Sequence, residues 1–573
     1  MYLGYVNFFT EELPVNSSTN KNSDIVTENS KIQSKLPTIE KSIEKEEKKK
    51  EEKPPNSSTN NNIIAKIEYS EIKNSKLKSI LDGTLHAFKG YREYAWGYDE
   101  LHPNSKIGRN SFRMGLTIID SMDTLYIQGL VDKRLMDEFE LCREWVRDHL
   151  KFDEGEVNLF ETTIRVVGGL LSTYHLTNDK IFLMKATELV DKLMIAFETP
   201  AGIPYASVNL EKAEGVAAQG FQNGASTTSE VSTIQLSFNY LSYLTKDNKY
   251  AKAARKVMDI LEKNEPATSL VPILVSPQTG KYVGSTIRLG SRGDSYYEYL
   301  WKQWYHNGKK EKRFHDMWVR AWTGVKNWLI DVTPREGFIY IGEWNNGEPT
   351  EVLETISKLG KDPGIEYRKK NFTDKKEKQI SPKMDHLVCF LPGTVLLSIT
   401  NGKTLQEIKK TRKLTEIEEE DFFLAEGLLR TCYEMYRMNP TFLASEITMF
   451  RKKFESDQGP DMYIKSADTH NLLRPETVES LFYFYRITGN ETYRNIWQGF
   501  EKYSKVATGG YTNLRDVTKT DGPSGDRMET FFLGETLKYF YLLFSDDNEN
   551  LYPLDKYCFN TEAHAFPIID LVI

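Results

Sequence analysis

A chain of 573 residues, 39% hydrophobic and 12% aromatic, is long enough for several domains or one large one with a sizeable core. The net charge of −7, with no basic patch interleaved with aromatics, argues against a nucleic-acid partner. No run of about 18 apolar residues marks a transmembrane helix, and the opening MYLGYVNFFTEELPV is too short and too acidic for a convincing signal peptide.

Residues 1–75 are rich in Asn, Ser, Lys and Glu and include EKSIEKEEKKKEEK. This composition predicts a disordered N-terminal arm. From about Ser79 onward, apolar residues recur at i, i+3, i+4 and i+7. The windows are 112–130, 161–177, 228–245, 294–306, 426–438, 476–488 and 528–544. Amphipathic stretches such as 179–197 and 249–263 lie between them. Alternation of this kind suits a two-layer helical barrel with a buried inner ring and a half-wet outer one. An irregular helical bundle would read the same way. Residues 361–380 and 401–420 are charged and weakly apolar, and read as surface insertions, either solvated loops or a wet helix.

The four cysteines, Cys142, Cys389, Cys432 and Cys558, form no CxxC pair, which argues against zinc. Four glycosylation sequons, at Asn16, Asn56, Asn371 and Asn490, give slight support to a secretory route.

Acids and a histidine open apolar helix after apolar helix. Glu161 is followed by Arg165 at i+4. Glu230 and Asp294 open the next two. His386 precedes LVCFLPGTVLL, and Glu446 sits in ASEITMF. Glu476 and Glu479, three apart, follow Arg474. Phe531 and Glu535 share a face at i+4. Any one of these acids is explained by a helix dipole or cap. Helices arranged in a ring would gather all of them at one mouth. Carboxylates and arginines grip sugar hydroxyls, an aromatic ring supports the sugar's apolar face, and crowding keeps one carboxyl protonated beside an ionised one. Glycoside hydrolysis needs such a pair.

The chain resembles the class I α-1,2-mannosidases, glycoside hydrolase family 47, over residues 82–570. The blocks GLTIIDSMDTLYIQGL, NLFETTIRVVGGLLSTYHL, GDSYYEYLWKQW, MDHLVCFLPGT, HNLLRPETVESLFYFYR, METFFLGETLKYFYLLF and FNTEAHAFPI carry the resemblance in order. It implies an all-α fold, an (α/α)7 barrel over residues 76–573 behind the arm, with the site in its bore. It implies a calcium ion held by the backbone and hydroxyl oxygens of Thr561. It implies inversion of configuration, with Glu476 as base, Glu161 as acid through a water, Asp294 as a further essential carboxylate and Glu446 as another candidate acid. Arg165, Glu230, His386, Arg474, Glu479, Phe531, Glu535 and Glu562 would line the pocket. A Cys389–Cys432 disulfide is implied, as is preference for one mannose of Man9 through Arg292, as in the endoplasmic-reticulum type. TEAHA, with Ala565, departs from the family's TEAHP, and Ala444-Ser445-Glu446 departs from its usual Pro before Glu. The expected activity is trimming of high-mannose N-glycans by a monomer in the endoplasmic reticulum or Golgi lumen. The alternative is a glycan-binding quality-control factor with little or no hydrolysis.

Overall fold

The computed structural model describes residues 69–345, 380–452, 459–494, 496–545 and 551–571. The expected arm up to residue 68, the stretch 361–379, and the sequons at Asn16, Asn56 and Asn371 lie outside the described residues. Residues 69–75 are structured. A 3-10 turn, Tyr69–Glu71, leads to Asn74, whose side chain accepts the amides of Lys76 and Leu77 and caps the first helix.

Thirteen helices organise the described chain: α1 (Ser75–Ala95), α2 (Leu116–Gly129), α3 (Lys133–Asp148), α4 (Gly168–Thr177), α5 (Lys180–Leu193), α6 (Gln235–Thr245), α7 (Lys249–Lys263), α8 (Asp294–His306), α9 (Lys312–Trp328), α10 (Leu391–Thr400), α11 (Glu416–Arg437), α12 (Glu476–Thr488) and α13 (Leu537–Phe544). Seven of them, α2, α4, α6, α8, α10, α12 and α13, are buried around most of their circumference. Each packs on the next, and the π-helical turns Phe532–Thr536 that lead into α13 close the ring onto α2. The outer layer follows: α3 lies on α2, α5 on α4, α7 on α6, α9 on α8, α11 on α10 and α1 on α13. Sequence dictates the layer. In α7, the buried Tyr250, Ala254, Val257, Met258 and Leu261 fall on one face and the lysines on the other.

The segmentation departs from the periodicity in two places. The window 228–245 breaks into Thr228–Ser232 and α6, because Ser232 and Thr233 turn their hydroxyls back onto the carbonyls of Thr228 and Ser229. The window 426–438 is the second half of outer helix α11, and residues 391–400 take the inner position beside it. The stretch 401–420 is largely helical, in keeping with a wet helix rather than a loop. It holds a short helix, Leu405–Thr411, with Leu405 and Ile408 buried, and the first turn of α11. Both helices start in a capping box, Thr404 with Glu407 and Thr415 with Glu418. The acids that read as a solvated run are helix starts.

Short strands mark the N-terminal ends of the inner helices, among them Glu156–Asn158, Ser226–Thr227 and Lys383–Asp385. A hairpin, Tyr557–Phe559 paired with Ala565–Pro567, enters from the other end, where Ile569 donates its amide to the carbonyl of His306 at the close of α8. Its turn, Asn560–His564, reaches inside the ring and plugs it. Cys389 and Cys432 form a disulfide with Cα atoms 5.9 Å apart, tying the turn His386–Phe390 to α11. Cys142 and Cys558 are free and buried. Among the described residues no helix is long and apolar enough to cross a membrane.

Candidate active site

The N-terminal ends of the inner helices surround a cavity of about 420 Å³ above the plug. Its wall includes Glu161, Arg165, Glu230, Arg292, Asp294 and Arg474. It also includes Glu476, Phe531 and Glu535, with Thr561 and Glu562 contributed by the plug. Residues from positions 161 to 562 thus meet because each stands where an inner helix or the hairpin turn reaches the bore.

Local chemistry fixes each group. Asn158 caps the turn that carries Glu161, accepting its amide at 2.9 Å. The guanidinium of Arg165 donates to Glu161 at 2.7 Å and to Glu562 at 2.6 Å, joining wall to plug. Glu230 accepts from Thr227 Oγ1 at 2.6 Å and from Asn158 Nδ2 at 3.1 Å. Arg474 donates to Glu446 at 2.5 Å. The guanidinium groups of Arg165 and Arg474 both lie over the ring of Phe531, at 5.5 and 5.7 Å. Arg292 stacks on Phe221 at 4.8 Å. Its guanidinium makes no ion pair among the described residues, unlike those of the other two arginines. Three residues with left-handed backbone, Arg292 (φ 76°), Leu473 (φ 66°) and Ala563 (φ 58°), stand at or next to pocket residues. Strain of this kind persists where the surroundings over-determine a conformation.

Two expected wall residues, His386 and Glu479, and the candidate acid Glu446 lie behind the wall instead. His386 is buried and its Nδ1 stands 2.9 Å from Glu476. Glu446 has both oxygens engaged, by Arg474 and by the amide of Leu472 at 3.2 Å. Glu479 is buried with its Oε1 3.7 Å from the ammonium of Lys302, which also pairs with Glu298.

The acids differ in protonation. Burial, with the charges of Glu298, Glu476 and Asp385 nearby, pushes Asp294 up to about 7. Burial also opposes ionisation of Glu476, but the hydrogen bond and charge of His386, helped by Arg474, outweigh it and hold that carboxyl below its usual value. Deeper, burial and the charges of Glu298 and Glu476 raise Glu479 to about 8 against the pull of Lys302. Burial and neighbouring carboxylates push Glu535 well above the ordinary range.

The floor suits a hard cation. The hydroxyl and carbonyl oxygens of Thr561 accept no hydrogen bond from the described residues, while its amide meets Tyr299 Oη at 3.2 Å. Glu479 Oε1 is buried without a hydrogen-bond partner. No three His, Cys, Asp or Glu side chains form a ready metal cage among the described residues. An ion here would take oxygens from Thr561 and otherwise water, which fits calcium.

The sequence reading missed several groups. Phe160 and Phe221 are in the wall. Asp120, Asp123, Lys538 and His564 are buried beneath it. Asp120 and Asp123 carried a signal, two acids three apart inside the apolar window 112–130.

The family model for glycosyl hydrolase family 47 matches residues 84–568. The chain belongs to glycosyl hydrolase family 47. It is therefore a glycoside hydrolase. It is 44% identical over 532 residues to mannosyl-oligosaccharide 1,2-alpha-mannosidase MNS3 of Arabidopsis thaliana, covering 86% of this chain and 79% of that one. It is 42% identical over 522 residues to the endoplasmic reticulum mannosyl-oligosaccharide 1,2-alpha-mannosidase of Schizosaccharomyces pombe, covering 88% and 92%. The alpha-1,2-mannosidase from Trichoderma reesei, a solved structure, superposes with a TM-score of 0.71 at 23% identity, covering 86% of this chain and 99% of that one. That likeness shows a shared fold, the (α/α)7 barrel.

Proposed function

We propose that this chain is a calcium-dependent, inverting α-1,2-mannosidase that removes a terminal mannose from high-mannose N-glycans, with Man9 to Man8 as its main step. One observation carries the reading. A single pocket holds a carboxyl favoured as protonated, Asp294, and a carboxylate favoured as ionised, Glu476. Glu476 takes a proton from water as its oxygen attacks the anomeric carbon. Asp294 gives its proton to the glycosidic oxygen as the bond to the leaving sugar breaks. The resemblance names Glu161 as the acid, but Glu161 is committed to Arg165 and is better placed to orient the leaving group. Glu446 is held behind the wall by Arg474 and the Leu472 amide. Arg165, Glu230, Arg474 and Glu535 would grip hydroxyls, and Phe531 would support the ring's apolar face. Calcium on Thr561 would supply coordination for sugar hydroxyls at the floor.

The enzyme acts as a monomer in the endoplasmic reticulum lumen. Two relatives are named mannosyl-oligosaccharide 1,2-alpha-mannosidases, one of them as an endoplasmic reticulum enzyme. The Cys389–Cys432 disulfide fits an oxidising compartment. Digestion of free Man9 glycan, with EDTA and then excess calcium, tests the proposal. Release of one mannose, blocked by EDTA and restored by calcium, is expected. Binding without release would favour a lectin-like factor, and release of several mannoses would demote Arg292 as selector.

A further inference from the structure

Four ionisable side chains are buried together beneath the pocket; none of them lines it, though Asp120 lies 3.5 Å from the guanidinium of the wall residue Arg165. Asp120 and Asp123 come from α2, Lys538 from α13 and His564 from the hairpin; each is 1% exposed or less. The imidazole of His564 is wedged between the two acids, Nδ1 at 2.9 Å from Asp123 and Nε2 at 3.2 Å from Asp120. The ammonium of Lys538 lies 2.9 and 3.0 Å from the two oxygens of Asp123 and donates to the carbonyl of Ala563 at 2.8 Å.

The plug needs such a fixture. It is not an inner helix, so no helix–helix packing sets how deep its turn sits. Its internal bonds hold only its own shape: Asn560 Oδ1 accepts the amides of Glu562 and His564 at 2.9 and 2.8 Å. Depth must come from bonds to the ring. Above the turn these are the Arg165–Glu562 pair and the Thr561 amide on Tyr299 Oη. Beneath it they are made by Lys538, Asp123, Asp120 and the bond from Asn560 Nδ2 to the carbonyl of Ile164 at 2.9 Å. The ring is cut to receive them. A Cβ at Gly168 would lie 2.7 Å from Asn560 Nδ2 and 2.8 Å from the His564 ring, and one at Gly534 would lie 2.9 Å from Asp120. Two carboxylates facing two nitrogen bases form a set that burial tolerates only when complete.

We propose that Lys538 and His564 are positioning residues that lock the plug at one depth, and so place Thr561 for the ion and Glu562 for Arg165. Neither touches the substrate or the ion. The lock acts through the two residues between Asn560 and Ala563. This inference rests on the proposed calcium site.

The test uses the full chain. Calcium affinity is read from the calcium dependence of the unfolding temperature, and KM and kcat are measured separately on Man9. Lys538→Met is combined with Asp123→Asn so that no buried charge is left unpaired. His564→Gln is the second variant. Lys538→Arg, which keeps the charge balance but alters the reach, is the third. Calcium affinity about 10- to 100-fold weaker is expected for the first two, by analogy with outer residues that orient metal ligands, with KM raised and kcat lowered. Lys538→Arg should fall between them and the native chain. A folded variant whose unfolding temperature drops equally with and without calcium, with affinity and KM unchanged, would show ordinary core stabilisation and overturn the lock. A native chain with no calcium-dependent shift would defeat the metal reading and the lock together.

Discussion

Nδ1 of His386 stands 2.9 Å from Oε2 of Glu476, and Nε2 of the same ring faces the hydroxyls of Tyr436 and Thr477 at 3.0 Å. An ionised carboxylate only accepts, so Nδ1 must carry the hydrogen. The buried ring thereby orients Glu476 and favours its charged form. His386→Ala should lower kcat by about tenfold or more and move the acid limb of the pH profile upward, because Glu476 loses the group that depresses its pKa. Glu476→Gln keeps an oxygen for His386 and should fold normally with activity reduced by about a thousandfold or more. An unmoved acid limb in His386→Ala would place the base elsewhere.

The pH–rate profile should be bell-shaped. Asp294 must be protonated, and its value near 7 predicts an alkaline limb centred there. Glu476 must be ionised, and its lowered value puts the acid limb below the ordinary glutamate range. A profile of kcat/KM flat from pH 5 to about 9 would remove Asp294 from the acid role.

The same carboxyl makes a stability prediction of definite sign. A folded-state value raised from 3.8 to about 7 means the folded chain holds a proton that the unfolded chain has released. Stability therefore falls as pH rises through that window. Asp294→Asn should abolish activity yet stabilise the protein at pH 8 by on the order of 1 kcal/mol, a figure discounted for water in the pocket. Paired thermal melts at pH 5 and 8 would check it, with a smaller gain expected at pH 5, which lies inside the window between the unfolded and folded values.

The disulfide brackets the site from behind. Cys389 follows His386 by three residues, Cys432 precedes Tyr436 by four, and the two tie the segments that the His386–Tyr436 bond also joins. With the cysteines 43 positions apart, changing both to Ser should cost about 2–4 kcal/mol. It should also lower kcat in the protein that remains folded, measured after correcting for the unfolded fraction.

Phe221 bears on selectivity. Arg292 makes no ion pair among the described residues and rests on this ring. Phe221→Ala should leave hydrolysis of an α-1,2-linked mannose disaccharide within about threefold of normal while removing about 1 kcal/mol of support from the arginine. On Man9, product analysis should then show a less selective mixture.

Much of this was legible in residue order. The acids at positions 161, 294 and 476 could be placed because a carboxylate beginning an apolar helix has a fixed relation to that helix's axis. Most of the layering followed from which faces were apolar, but the apolar window 426–438 proved to be part of an outer helix, with 391–400 inside it. Other features depend on contacts that periodicity does not encode. Glu446 and Arg474 are 28 residues apart, and only the fold shows that they satisfy each other. The π-helical turns Thr162–Val167 and Phe532–Thr536 leave the apolar spacing nearly unchanged, so the sequence shows no break there. The acids of 416–420 looked solvated because the first turn of an outer helix is solvated. The motif around Thr561 was visible, but its position on a hairpin inside the ring was not, since strands of three residues give too little alternation to read.

The most direct test of the central claim is proton NMR of the sugar released in the first minutes of Man9 digestion. If Glu476 activates water on the face opposite Asp294, the first product is β-mannose, which then mutarotates toward the α form. Initial appearance of α-mannose would mean a covalent intermediate or attack from the same face, and would contradict the roles given to these two acids.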